Sequence, residues 1–264
     1  MLNFCSLYSS SGGNCLFAQS KNTSILIDAG VSTRKIETAL EKIKVSPENI
    51  SGILVTHEHS DHIQSIGNFS KKYNVPVYIN NETWDALQLE QKEKISDVNR
   101  KSFIIDEKFN IGDLEVLPFS IPHDAVNPCG FNIFHEDSKI SVATDIGHMT
   151  DDIIKKLEHS SFLLLESNYE PEVLKFSRYP YVLKKRIAGP NGHLSNVVAG
   201  ETISKLIPTG LHSVMLGHLS KENNFPELAY KTVMEKIVEN NFSERSIALN
   251  VADRSVPSQM IKIS

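Results

Sequence analysis

Six consecutive positions, His57-Glu58-His59-Ser60-Asp61-His62, limit what this chain can fold into more than any other stretch of it. Three imidazoles and the Asp61 carboxylate stand directly after the apolar run Ile53-Leu54-Val55. A packed core has no place for such groups side by side, because each is costly to bury unpaired. Imidazole with carboxylate suits Zn²⁺, and also Mn²⁺ or Fe²⁺. The helical zinc-protease pattern H-E-x-x-H is excluded, since it needs histidine at position 61 and Asp61 stands there. What remains is H-x-H-x-D-H on a loop leaving a buried strand, a usual place for sites in α/β folds. In an extended or turning segment His57 and His59 project to one side, while Asp61 and His62 can turn to a second point. Such spacing can serve two adjacent metals; the bland alternative is a histidine-rich surface turn.

The rest of the composition sets the frame for that cluster. A chain of 264 residues with 40% apolar and 22% charged residues is an ordinary globular protein, within reach of one large α/β domain. A net charge of −5 argues against whole-surface binding to nucleic acid, and leaves room for a local basic patch. Cys5, Cys15 and Cys129 are odd in number and contain no C-x-x-C, which argues against a disulfide framework or a thiolate zinc site. No basic segment precedes an apolar stretch at Met1-Leu2-Asn3-Phe4, and no apolar run approaches the ~20 residues that span a bilayer. The expectation is a cytoplasmic, soluble protein with no membrane partner; the sequence gives no oligomeric state.

Read for pattern, residues 2–8, 14–19, 24–28 and 52–56 are strands, the last two uninterruptedly apolar as in strands covered on both faces. Helices are expected at 32–43, 63–73 and 82–94, the last with Trp84, Leu87 and Gln91 along one side. From residue 102 closely spaced strands follow, at 102–105, 109–111, 114–120, 131–135 and 139–144. Helix-strand alternation then returns, with strands at 162–165, 213–216 and 246–251 and helices near 150–158, 195–207 and 226–240. No linker divides the chain and no repeat is visible. Alternation at both ends around a strand-rich middle implies two sheets face to face with helices outside, a four-layer αββα sandwich in one domain spanning 1–264.

H-x-H-x-D-H after a buried strand, with Asp28-Ala29-Gly30 upstream, resembles the metallo-β-lactamase-fold hydrolase superfamily, over essentially the whole chain. That resemblance implies the αββα fold and further ligands from a third histidine, a bridging aspartate and a last histidine. His123 is the candidate for the third: it follows the strand 114–120 and precedes Gly130-Phe131, as a histidine does in the ribonuclease Z-like branch. Asp145, ending a buried strand in Thr144-Asp145-Ile146-Gly147, is the candidate bridge. His218, after strand 213–216, is preferred to His212, which would sit at that strand's opposite end. The implied set is His57, His59 and His123 on one metal, Asp61, His62 and His218 on the other, and Asp145 between them. Asp28 is either the orienting partner of a ligand histidine or a simple strand-end cap. A water shared by two divalent ions is hydroxide near neutral pH, and the ions stabilise attacking and leaving oxygens. Asp61 is thereby counted among the catalytic residues.

Two stretches bear on substrate. Gly192-His193-Leu194-Ser195-Asn196 opens a helix and resembles a His-Ser-Thr stretch of the ribonuclease Z-like branch, with leucine inserted; Ser195, Asn196 and later Ser220 are candidates for contact with a phosphate. Leu165-Glu166-Ser167-Asn168-Tyr169 resembles that branch's glutamate motif, so that a Glu166–His193 dyad would protonate the leaving oxygen. The competing reading is an N-cap at Ser195 and a strand-end glutamate. Arg178, Lys184, Lys185 and Arg186, near Tyr169, Tyr179 and Tyr181, form either a solvated helix face or a surface that follows a phosphate backbone and stacks bases.

At a finer level, S-S-S-G-G-N-C, P-H-D-A-V-N-P-C-G-F, A-T-D-I-G-H, L-E-S-N-Y, K-K-R-I-x-G-P-N-G-H-L-S-N and L-G-H-L-S together resemble the YycJ (WalJ)-type bacterial branch. The resemblance implies a dinuclear hydrolase with Zn²⁺ or Mn²⁺, Fe²⁺ being a further option, that cleaves phosphodiester bonds as a 5′-to-3′ DNA exonuclease. Only 72 residues separate Asp145 from His218, too few for an inserted β-CASP clamp domain. The alternatives are a small-molecule phosphodiesterase or thioester hydrolase, and a non-hydrolytic redox or regulatory member. Redox members resemble H-x-E-x-D-H, and position 59 is histidine.

Overall fold

The computed structural model describes residues 1–263. Its strands are β1 (Leu2–Tyr8), β2 (Cys15–Gln19), β3 (Ser24–Ile27), β4 (Ile50–Leu54), β5 (Val77–Ile79), β6 (Arg100–Ser102) and β7 (Phe109–Ile111). They continue as β8 (Leu114–Ser120), β9 (Cys129–His135), β10 (Ser138–Ala143), β11 (Phe162–Glu166), β12 (Ser213–Gly217), β13 (Ala248–Val251) and β14 (Ile261–Ile263). These make two seven-stranded sheets, both mixed, with helices flanking them, which is the expected fold class. No helix among the described residues is long and apolar enough to cross a membrane.

The chain divides into two compact units. The first comprises 1–120, 125–138 and 253–264; the second comprises 121–124 and 139–252. In the first, the sheet order is β14-β1-β2-β3-β4-β5-β6, antiparallel as far as β3 and parallel from β3 to β6. Ile25, Leu26, Ile27, Ile53, Leu54 and Val55 are fully buried, which is why both central strands read as unbroken apolar runs. A second, antiparallel set, β7-β8-β9, belongs to the same unit. The other unit holds the parallel strands β10-β11-β12-β13, with Leu163, Leu164, Leu165, Val214 and Leu216 fully buried.

Three local expectations are corrected. The helix expected at 63–73 is two pieces, Ser60–Ile63 and Ile66–Tyr73, because the Ser65 N–H leaves the helical ladder to donate to the Ala29 carbonyl at 2.8 Å. The helix expected at 82–94 is Asn81–Ala86 and Leu89–Lys92. There the extended backbone at Leu87 and Gln88 buries Leu87 and lets the Gln91 side chain bond Gly67 N and Gln64 O. Strand β14 was not anticipated: three residues, Ile261-Lys262-Ile263, give too short an alternation, and they are fixed by pairing with β1. The strand expected at 102–105 forms instead as the exposed edge strand β6.

The hairpin β7–β8 turns at Gly112-Asp113 against the turn at residues 20–23. The Asp113 carboxylate accepts from Ser20 Oγ at 2.5 Å and from Asn22 Nδ2 at 3.3 Å. Burial pushes this carboxyl up, but hydrogen bonds with Ser20, Thr23 and its own backbone, with His135 nearby, outweigh that and bring its pKa to about 2. A folded-state pKa below the unfolded value of about 4 means that the stabilisation is complete above pH 4 and is lost as pH falls through about 2. Urea unfolding of wild type and Asp113→Asn is therefore expected to show a stability difference that is constant near neutrality and shrinks between pH 4 and pH 2.

Candidate metal centre

In the first unit, the chain leaves β4 through Val55 and Thr56 and stays extended to His59, whose φ and ψ are −62° and 143°. Ser60 then starts a single helical turn. This change of backbone state aims His57 and His59 differently from Asp61 and His62. His57 and His62 are fully buried, and the His57 ring lies 4.6 Å from that of His59 and 4.1 Å from that of His62. Three imidazoles at such distances would repel one another if all were protonated.

Asp28 sets the protons on this group. Its carboxylate accepts from Thr56 N at 2.9 Å, Thr56 Oγ1 at 2.8 Å and His62 Nδ1 at 2.7 Å. With the Thr56 hydroxyl proton committed to Asp28, the His57 Nδ1–H donates to Thr56 Oγ1 at 3.0 Å. Both rings are thus held as tautomers with the lone pair on Nε2, the form that ligates a metal. Asp28 bonds a histidine and, through Thr56, also ties together the ends of β3 and β4.

Sequence reasoning missed Thr56 and Asn14. The Asn14 side chain donates to His62 Nε2 at 3.1 Å, its N–H donates to the Asp61 carbonyl at 2.8 Å, and its carbonyl receives Gly30 N–H at 2.7 Å. The Gly12-Gly13-Asn14 turn was the available signal. Gly30 lies against the turn that carries Asp61 and His62: a Cβ there would stand 1.5 Å from the Asp61 carbonyl oxygen. Glu58, between the two histidines, accepts from Val126 N at 2.8 Å and so anchors the loop before β9.

The second unit gathers His123, Asp145, Glu166, His193 and His218. His123 donates from Nδ1 to the Gly192 carbonyl at 2.9 Å, again leaving the lone pair on Nε2. Burial pushes its pKa down and favours the neutral ring, outweighing the opposing pull of Asp145 toward the charged form. One oxygen of Asp145 stands 3.7 Å from His123 Nε2 and 3.3 Å from His218 Nδ1. Asp145, Glu166, His193 and His218 each offer a ligand atom, all within 4.8 Å of one another.

Glu166, fully buried, makes four hydrogen bonds. Oε1 accepts from His193 Nδ1 and His218 Nδ1, both at 2.8 Å, and Oε2 accepts from Ile146 N at 2.7 Å and Leu194 N at 3.0 Å. Burial pushes this carboxyl up, but the charge and hydrogen bonds of His193 and His218 outweigh it and hold it well below the usual carboxylate range. The glutamate therefore grips two histidines, where the sequence pointed to one. His193 is 17% exposed at its side chain, whereas His218 is 1% exposed.

The expected phosphate contacts divide. Asn196 is fully buried and bonds Ser167, Glu170 and Asn224, so it is not aimed at an anion; this is a correction, caused by a buried amide network under the helix Asn196–Leu206. Ser195 caps that helix by accepting from Val198 N at 3.3 Å, and Ser220 accepts from Asn223 N at 3.2 Å. His212 is exposed, bonding the nearby Gly210 carbonyl at the start of β12.

Asp28, Asp145 and His218 share a further property: their φ values are 61°, 60° and 54°, in the left-handed region. Each sits within two residues of a strand end, at β3, β10 and β12. Non-glycine residues held there cost on the order of 1–3 kcal/mol each and cluster at functional sites.

Two substitutions test this construction. Asp28→Asn is expected to weaken metal binding by about 10–100-fold in competition with a chelator, while the fold persists by circular dichroism. Gly30→Ala is expected to abolish metal retention and to lower stability by about 2 kcal/mol, since a backbone carbonyl must move. Gly12→Ala, with nothing nearer than Ser10 Oγ at 3.7 Å, is expected to do neither.

A family model for a β-lactamase superfamily domain matches residues 23–218. The chain is 34% identical over 234 residues to exodeoxyribonuclease WalJ of Streptococcus pneumoniae, covering 88% of this chain and 87% of the relative. It is 32% identical over 260 residues to exodeoxyribonuclease YycJ of Bacillus anthracis, covering 98% of both. The fold is shared with the metallo-β-lactamase fold protein YhfI of Bacillus subtilis, at a TM-score of 0.70 and 18% identity over 97% of this chain and 98% of the other. On these matches, the chain belongs to the β-lactamase superfamily and, within it, to the family of WalJ and YycJ.

Proposed function

We propose that the protein is a metal-dependent phosphodiesterase that degrades DNA as a 5′-to-3′ exonuclease in the bacterial cytosol. The observation that carries this reading is chemical: buried histidines locked with Nε2 as the ligating atom stand beside carboxylates, in a chain whose relatives are named exodeoxyribonucleases. His57, His59 and His123 would hold one divalent ion, and Asp61, His62 and His218 a second, with Asp145 shared. Zn²⁺ and Mn²⁺ suit these donors, and Fe²⁺ is compatible with them. Such ions, when bound, supply Lewis acidity at a phosphate oxygen and an acidified water near neutral pH.

The remaining residues have roles of their own. Asp61 combines a ligand oxygen with a position, 26% exposed at its side chain, from which it can orient the attacking water. His193 Nδ1 is committed to Glu166, so its Nε2 is the atom that carries a proton to the leaving oxygen. Ser195 Oγ and Ser220 Oγ each accept a backbone N–H group, and both side chains are proposed as contacts to a phosphate oxygen. The three cysteines, buried and free, accord with a reducing cytosol.

The test incubates protein loaded with Mn²⁺ or Zn²⁺ with 5′-labelled single- and double-stranded DNA, RNA and an aryl phosphodiester. Stepwise release from the 5′ end of DNA is expected, with activity lost on chelation and reduced about a thousandfold or more in Asp61→Ala. Turnover of the aryl ester without cleavage of any polynucleotide would replace this reading by a small-molecule phosphodiesterase. Elemental analysis is expected to give two metal ions per chain, and a maximum of one would sink the shared-ligand arrangement.

A further inference from the structure

The segment 171–188 carries five Lys or Arg residues and one Glu, in a chain whose net charge is −5. It forms two short helices, Pro171–Phe176 and Tyr181–Ile187, which pack on a small core of Tyr169, Leu174 and Ile187 with Tyr179 and Leu183 against it. The Lys184 ammonium closes the hairpin by donating to the carbonyls of Lys175 at 2.8 Å and Ser177 at 2.7 Å. This is a braced structure rather than a loose loop.

Against that bracing, the hairpin leaves aromatic surface uncovered. Phe176 is 76% exposed and Tyr181 is 70% exposed. A cleft of about 550 Å³ opens beside them, lined by Tyr169, Leu174, Tyr179 and Tyr181 with Lys175 and Lys185 among its cationic residues. Lys185 Nζ stands 5.0 Å over the Tyr181 ring. Flat apolar walls with ammonium groups among them match the faces of nucleobases joined by phosphates. A paired duplex hides those faces, so the matching ligand is single-stranded.

The hairpin is also tied to residues of the candidate centre. Arg186 Nε donates to Asp124 Oδ2 at 2.5 Å, next to His123, and Asp124 N–H donates to the Asn191 carbonyl at 3.0 Å, next to Gly192. Tyr169, on the cleft wall, pairs as a β-bridge with Ser195, two residues past His193. We propose that this cleft binds two or three unpaired bases of a DNA strand beyond the nucleotide being cleaved, stacking them on Tyr179 and Tyr181 with Lys175 and Lys185 on the phosphates. It supplies the grip that a clamp domain gives to longer chains, and it rests on the nuclease reading above.

The test compares KM and kcat of the metal-loaded wild type, Tyr181→Ala and Lys185→Glu on a twenty-nucleotide oligothymidylate and on an abasic oligomer of equal length. Both side chains are exposed, and thermal melting checks that each variant is folded. Tyr181→Ala is expected to raise KM about tenfold on the oligothymidylate with kcat within twofold, and to leave KM on the abasic oligomer unchanged. Lys185→Glu is expected to raise KM on both and to flatten its dependence on salt. An unchanged KM for oligothymidylate in both variants, with wild type cleaving it normally, overturns the cleft while sparing the nuclease reading. Equal losses on both oligomers in Tyr181→Ala overturn stacking. Failure of the wild type to cleave any oligonucleotide overturns both.

Discussion

One carboxylate holds the histidine cluster of the first unit in order. Asp28 accepts the Thr56 N–H and thereby fixes the direction in which the chain leaves β4. It also accepts the Thr56 hydroxyl, which sends the His57 proton to Nδ1, and it accepts His62 Nδ1–H directly. A single buried anion thus decides strand-end geometry, ring orientation and tautomer together. In a low-dielectric interior, such an anion is tolerable only because each of its hydrogen bonds is made. Removing any donor leaves a cost that the neighbours would have to absorb by moving, and the neighbours are the histidines.

The second unit uses the same device with a different residue. Glu166 accepts two backbone N–H groups and two imidazole N–H groups, so the loops after β10, β11 and β12 converge on one carboxylate. Asp28 and Glu166 are thus counterparts: each is a buried carboxylate saturated with donors. The sharing of Glu166 means that the histidine proposed as proton donor and a proposed ligand depend on the same oxygen atom. Their orientations cannot be set independently.

Much of this was legible in the sequence because it rests on local pattern. Unbroken apolar runs announced β3, β4, β11 and β12, and the chemistry-bearing residues follow strand ends at fixed positions. What was not legible depends on contacts distant in sequence. Nothing local tells that Asn196 lies under a helix in an amide network, or that Asn14 reaches His62 across 48 positions. Helix breaks at Ser65 and Leu87 were hidden for the same reason: the periodicity was helical, and a distant carbonyl at Ser65 and the burial of Leu87 won. The three-residue strand β14 exists only because β1 is there to pair with it.

The left-handed backbone at Asp28, Asp145 and His218 has a consequence for the chain's history. At each of these positions glycine would relieve backbone strain and remove the polar side chain at once. Selection for backbone ease alone would therefore favour glycine at three points, and the chemistry would be lost there first. That these positions hold aspartate and histidine means that the backbone strain is offset by side-chain bonds which glycine could not make, such as those that tie the ends of β3 and β4 through Asp28.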